Sequence, residues 1–171
     1  MVIVFDMALC WVVLALFLAA GEMEATSEES IIMSRITADI GKGFESCREE
    51  TQLSPEIMKE WYQLWDYDFE VAVHREIGCT IICMGSKNLL LDNDNRVDGK
   101  IMLNYLRTFD NGGHLASKVA ELYQNCDKQH KDIEDVCSRV IKSFACFKID
   151  VKKAGIAPYA AMIEDMLEEL S

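Results

Sequence analysis

Apolar residues recur along this chain at intervals of three and four, the spacing that marks one face of an α-helix. Ile31, Ile32, Ile36, Ile40 and Phe44 form the first such stripe, and Thr26-Ser-Glu-Glu29 ahead of it is a capping start with acids in the first turn. Gly41 and Gly43 weaken its continuity. Ser54-Pro55-Glu56 supplies an N-cap and a proline at the first helical position. The helix it opens carries Ile57, Met58, Trp61, Tyr62, Leu64 and Trp65. A third helix is predicted from residue 75 to about 90, through Ile81, Ile82 and Met84, with Asp92-Asn-Asp-Asn95 as its stop. A fourth covers residues 100–109 with Ile101, Met102, Tyr105 and Leu106, and Asn111-Gly-Gly113 breaks the chain after it. Residues 115–126 and 133–154 form the fifth and sixth, the latter closed by Gly155 with Pro158 beyond. No run shows sustained period-two alternation, so the expected fold is all-α.

The first twenty residues stand apart. Residues 7–20 are an unbroken apolar run, too short for a membrane-spanning helix, followed by small Ala19-Ala20-Gly21 and then acids. That is the layout of a signal peptide over residues 1–21, with a cleavage site as late as about residue 27. Its leading segment is atypical, with Asp6 and no Lys or Arg. Residues 22–171 are then one secreted domain. The charge, 17 Lys+Arg against 29 Asp+Glu or −12, argues against nucleic acid as a partner.

Chemical signatures fail when tested against their geometry. Asp92-x-Asp94-x-Arg96 begins like a calcium loop, but Val97 replaces the turn glycine and Leu103 the closing glutamate. No His-Asp pair, no Gly-x-Ser-x-Gly and no phosphate-cradling glycine loop occurs. Adjacent acids such as Asp66/Asp68 and Glu168/Glu169 read as solvated faces. The chain is therefore expected to be neither an enzyme nor a metal protein, and to need no cofactor.

Secretion changes how the cysteines read. Cys10 leaves with the signal, and Cys47, Cys79, Cys83, Cys126, Cys137 and Cys146 remain, an even number for an oxidising compartment. Cys79 and Cys83 stand one turn apart on a helix and so tie it to two other segments more naturally than to each other; the spacing leaves the pairing otherwise open.

The pattern Cys47-x31-Cys79-x3-Cys83-x42-Cys126-x10-Cys137-x8-Cys146 resembles that of insect odorant-binding proteins. Cys47-Arg-Glu-Glu-Thr-Gln-Leu53, His74-Arg-Glu-Ile-Gly-Cys79, Phe109-Asp-Asn-Gly112 and Gly155-Ile-Ala-Pro158 are similar to the moth pheromone-binding and general odorant-binding subfamily. Arg75-Glu76 and the Gly-Ile-Ala-Pro segment lean towards the general odorant-binding branch. The resemblance implies a bundle of six or seven helices around an apolar cavity, stapled by Cys47–Cys83, Cys79–Cys137 and Cys126–Cys146. It implies a carrier that solubilises small hydrophobic volatiles (long-chain alcohols, aldehydes or acetates) and takes them through sensillar lymph to a membrane odorant receptor, as a monomer or homodimer. A carrier of the same fold for a lipid or hormone outside olfaction is the alternative.

Positions matching the family pocket are Ile40, Leu64, Trp65, Ile81, Leu90, Leu91, Val97, Tyr105, Tyr123 and Phe147, with Arg139 at a polar position. Gly85 replaces a small hydroxyl residue. Asp98 and Gly99 stand where the family carries a pair of histidines linked to acid-triggered opening, and Gln124 where a histidine usually precedes the fourth cysteine. Residues 158–171 form an acidic amphipathic tail. Tyr159, Met162, Ile163, Met166, Leu167 and Leu170 make one apolar stripe, beside Glu164, Asp165, Glu168 and Glu169. Those four carboxylates, with no Lys or Arg in the tail, are the candidate pH switch: protonation near their ordinary pKa of about 4 would let the tail bury itself.

Overall fold

The computed structural model describes residues 27–57, 65, 74–110 and 113–168; the expected signal peptide lies outside them. The described residues include the helices α1 Glu28–Gly41, α2 Phe44–Thr51, α3 Arg75–Lys87, α4 Gly99–Arg107, α5 His114–Gln129, α6 Val136–Lys153 and α7 Ala160–Glu168. Residues 55–57 begin a further helical turn. No strand occurs among the described residues; Leu91 and Val97 form one isolated antiparallel bridge. None of these helices is long and apolar enough to cross a membrane.

Local chemistry sets most boundaries. Ser27 accepts from the Ser30 amide as N-cap of α1, Asp98 from Lys100 and Ile101 at α4, and Asp135 from Ser138 at α6. Ser54 does the same for the amide of Ile57 at 3.4 Å. Gly155 takes φ +70° just beyond α6, where a β-carbon would be strained.

Two boundaries differ from the sequence expectation. The first stripe is divided at Lys42–Gly43 into α1 and α2. The third helix ends at Lys87, not near residue 90: Asn88 turns back to bond the Met84 carbonyl with both its amide and its side chain, and Leu89 takes φ +56°. At that reversal Leu89 stands in solvent, 78% exposed, while Leu90 is buried in the core. Beyond it, Asp92 Oδ1 accepts from the amides of Asp94 and Arg96, closing the turn that pairs Leu91 with Val97.

Two apolar clusters fill the bundle. One is built from Met33, Ile36, Leu106, Val119, Tyr123, Phe147 and Val151 among others, the second from Phe44, Leu53, Ile77, Met84 and Ile141. Ile40, Trp65 and Phe144 pack against both, and none of the three is fully buried.

Three disulfides cross-link the helices. Cys47–Cys83 joins α2 to α3, Cys79–Cys137 joins α3 to α6, and Cys126–Cys146 joins α5 to α6. Cys79 and Cys83 thus leave one helix face for two different partners. Each bridge adds about 2–4 kcal/mol, mainly by restricting the unfolded chain. Around them lie polar ties: Thr51 and Thr80 hydroxyls at 2.8 Å between α2 and α3, and a two-pronged Arg75–Asp135 ion pair between α3 and the cap of α6. Where α3 crosses the start of α6 the backbones nearly touch, and Gly78 is required there: a β-carbon would collide with the Cys137 carbonyl.

Candidate ligand site

Helix α6 places Arg139, Ser143 and Phe147 at i, i+4 and i+8, one line along its inner face. Phe144, beside that line, reaches the seam between the two clusters. The result is a run of aromatic contacts: Trp65 to Phe144 edge-on at 6.2 Å between ring centroids, Phe144 to Phe147 tilted at 6.1 Å, and Phe147 to Tyr123 of α5 edge-on at 5.8 Å. Such pairs add roughly 0.5–1.5 kcal/mol each beyond the area they bury. They also form a continuous apolar wall through the middle of the bundle.

The run ends in polar groups. Arg139 is only 3% exposed, yet its Nε and one terminal nitrogen have no hydrogen-bond partner; neither has the Oγ of Ser143, which is fully buried. Asp127, one turn along α5 from Tyr123, places its Oδ1 3.7 Å from Arg139 Nε. Burial, and then the Asp127 carboxylate, push the Tyr123 phenol well above its ordinary pKa against the opposing pull of Arg139, so it stays a neutral hydroxyl. Buried polar groups are ordinarily satisfied, and each left unpaired costs about 1–3 kcal/mol. This arrangement can hold the acceptor end of an otherwise apolar molecule.

The remaining positions from the sequence are spread over both clusters and the turn after α3. Ile81 packs with the second cluster. Leu90 is buried, and Val97 packs on the first cluster. Leu91 fills the space a side chain at Gly85 would need, its Cδ2 standing 3.1 Å from where a β-carbon would be. The absent hydroxyl at Gly85 is thus replaced by leucine packing. Half-buried Tyr105 lies edge-on to Phe109 and donates to Asp39 of α1. Leu64 lies outside the described residues.

The three positions where histidines were missing come together. Gly99 packs so closely on Gln124 that a β-carbon would strike its amide, and Asp98, next in the chain, caps α4. The amides of Ile101 and Lys100 hold the Asp98 carboxyl below the usual range.

The tail packs on α1. Tyr159 bonds through its amide to Ser34 Oγ at 2.9 Å, and its hydroxyl accepts from the Ser27 amide at 3.3 Å. In α7, Met162, Ile163 and Met166 are half-buried and Asp165 is exposed. Glu169 and the side chains of Glu164 and Glu168 lie outside the described residues.

Sequence reading did not single out Phe144, Ser143 or Asp127 as site residues, although Phe144 belongs to the apolar stripe of the sixth helix. The signal for Ser143 was available: it stands midway between Arg139 and Phe147 at helical spacing. Asp127 had none, because its pairing with Arg139 depends on how α5 turns back against α6. The one close set of potential metal-ligating atoms among the described residues, Cys126, Cys146 and Asp150, contains two sulfurs already joined to each other and no free thiolate.

Residues 30–149 match the model of the PBP/GOBP family. The chain is 51% identical over 138 residues to general odorant-binding protein 2 of Antheraea pernyi, covering 81% of this chain and 86% of that one. Against general odorant-binding protein 2 of Heliothis virescens it is 44% identical over 160 residues, covering 94% and 96%. The crystal structure of Epiphyas postvittana pheromone binding protein 3 superposes with a TM-score of 0.58 at 27% identity, over 66% of this chain and 95% of that one. These relatives are named as binding proteins, not enzymes. The chain therefore belongs to the PBP/GOBP family.

Proposed function

We propose that the chain is a secreted carrier for small hydrophobic odorants or pheromones, with residues 1–21 as signal peptide. It takes up a long-chain alcohol, aldehyde or acetate, shields it from water and moves it through sensillar lymph to a membrane odorant receptor. The observation that carries this reading is the aromatic wall from Trp65 to Tyr123 ending at the unpartnered nitrogens of buried Arg139. An apolar wall rewards burial of a hydrocarbon chain at about 25 cal/mol per Å², and a few convergent polar groups at one end fix its orientation. The names of the relatives at 44–51% identity support the same reading.

Release is proposed to use the tail. In acid the apolar stripe of residues 158–171 leaves α1, competes for the interior and displaces ligand. The missing loop histidines favour the tail over the Asp98–Gln124 corner as the acid-sensitive element.

Displacement of N-phenyl-1-naphthylamine from residues 22–171 by hexadecanal, hexadecan-1-ol and hexadecyl acetate tests the carrier reading. Saturable displacement at one site supports it. Failure of all three, with a lipid or hormone displacing the probe instead, would move the protein out of olfaction.

A further inference from the structure

Each disulfide has an ion pair beside it, and the three differ in which end of the pair faces sulfur. At Cys79 it is the cation: Arg75 Nη1 stands 3.5 Å from Sγ, while the rest of the guanidinium grips Asp135. At Cys83 it is the anion: Glu50 Oε2 stands 3.3 Å from Sγ, its other oxygen bound to Lys87. At Cys126 and Cys146 it is again an anion, Asp150 Oδ2 at 3.7 and 4.0 Å, with Lys153 at 3.5 Å from the other oxygen. Exposure runs the same way. Cys47 and Cys126 are fully buried, so two bridges have one half sealed, whereas Cys79 and Cys137 are both partly open to solvent.

We propose that Cys79–Cys137 is the thiol-exchange site of the molecule, the bridge that small anionic thiols open first and on which they form a mixed disulfide. The attacking species is a thiolate, and its rate depends on local charge, on the acidity of the leaving thiol and on access. Arg75 draws the incoming thiolate to Cys79, whereas Glu50 and Asp150 repel it at the other two bridges. A new S–S bond forms to Cys79 Sγ as the bond to Cys137 breaks, and the electron pair leaves on Cys137. That sulfur belongs to the second residue of α6, at the positive end of an 18-residue helix, a place that stabilises thiolates. Asp135 caps the same end, but its charge is met by the two-pronged grip of Arg75. A second thiolate then takes the added group off Cys79 as a symmetrical disulfide and leaves both cysteines reduced.

The place of this bridge gives its opening a structural consequence. The other two join α2 to α3 and α5 to α6; Cys79–Cys137 ties one pair to the other. Opened, it leaves two separately stapled pairs that meet across the seam packed by Ile40, Trp65 and Phe144.

The test exposes folded residues 22–171 at pH 7.5 and low salt to reduced glutathione, blocks free thiols with N-ethylmaleimide at intervals and maps the peptides. The expected first product carries glutathione or maleimide on Cys79 and Cys137, with Cys47–Cys83 and Cys126–Cys146 still joined. Arg75→Gln should slow that opening by about threefold or more, and Arg75→Lys should restore much of the rate. A purely structural Arg75 gives the opposite sign, because losing the Asp135 ion pair loosens α3 from α6 and speeds attack. Another bridge opening first, all three opening together, none opening, or an Arg75→Gln chain that exchanges as fast as wild type or faster would overturn the proposal.

Discussion

Tyr105 of α4 donates its phenol hydrogen to Oδ2 of Asp39 in α1 across 2.7 Å and 66 residues of sequence. This bond ties a helix that follows the Leu91–Val97 turn to the first helix of the bundle. Burial alone would raise the Asp39 carboxyl; the Lys42 ammonium and the Tyr105 hydroxyl outweigh it and hold it below the usual range. Burial and the same carboxylate push Tyr105 upward, so it donates throughout the working pH range.

Tyr105→Phe should lower stability by about 1 kcal/mol, the size of one partly exposed bond to a carboxylate. Urea unfolding at pH 7 measures it. Because folding depresses the pKa of Asp39, its contribution is complete above the unfolded value near 4 and is lost as pH falls through the folded value. The difference between wild type and Tyr105→Phe should therefore narrow below about pH 4.

Gly78→Ala should destabilise by about 2 kcal/mol although it adds one methyl group to a helix, where alanine is intrinsically favoured. The new β-carbon meets backbone, not a movable side chain, at the Cys137 carbonyl. Thermal unfolding without reductant tests this; a gain in stability would mean that α3 and α6 are farther apart than described.

Asp135 does two tasks: it caps α6 at the Ser138 amide and grips Arg75. Hydrogen bonds from Arg75 and then from Ser138 hold its carboxyl down to about 2. Asp135→Ala should lower the melting temperature more than Asp135→Asn, which retains a capping oxygen. The stabilisation that wild type draws from this ionised carboxyl is full above about pH 4 and disappears between about pH 4 and 2, so both variants should show a shallower acid limb there.

Much of the fold was legible from side-chain spacing. The stripes of α1 and α3 to α6 follow from residues three and four apart, and Ser27, Ser54 and Gly155 mark ends by known local chemistry. The end of α3 was not legible, because Leu89 carries no hint that it will turn left-handed; the reversal is imposed by Leu90 entering the core and Leu91 packing on Gly85. The close crossing at Gly78 was hidden for a similar reason, since it exists only once α3 and α6 have met. Within the site, the apolar positions were readable as inward faces, but Asp127 looked like any surface acid until the bundle placed it against Arg139.

The tail predicts a specific pH response. Affinity for N-phenyl-1-naphthylamine should fall between pH 7 and pH 4.5–5 in residues 22–171 and fall much less in a truncation after Ala157. Equal losses would locate the acid response elsewhere in the bundle, and no loss in either would mean that release is not driven by acid.

The central claim is that ligand lies inside the bundle along the aromatic wall, and intermolecular nuclear Overhauser effects from hexadecanal to the protein test it most directly. The account predicts effects from the ligand chain to the rings of Trp65, Phe144, Phe147 and Tyr123, with the aldehyde hydrogen nearest the Tyr123 and Phe147 end. Effects confined to the exposed apolar side chains of Leu89, Ile101 and Ile149, with none to those four rings, would contradict it.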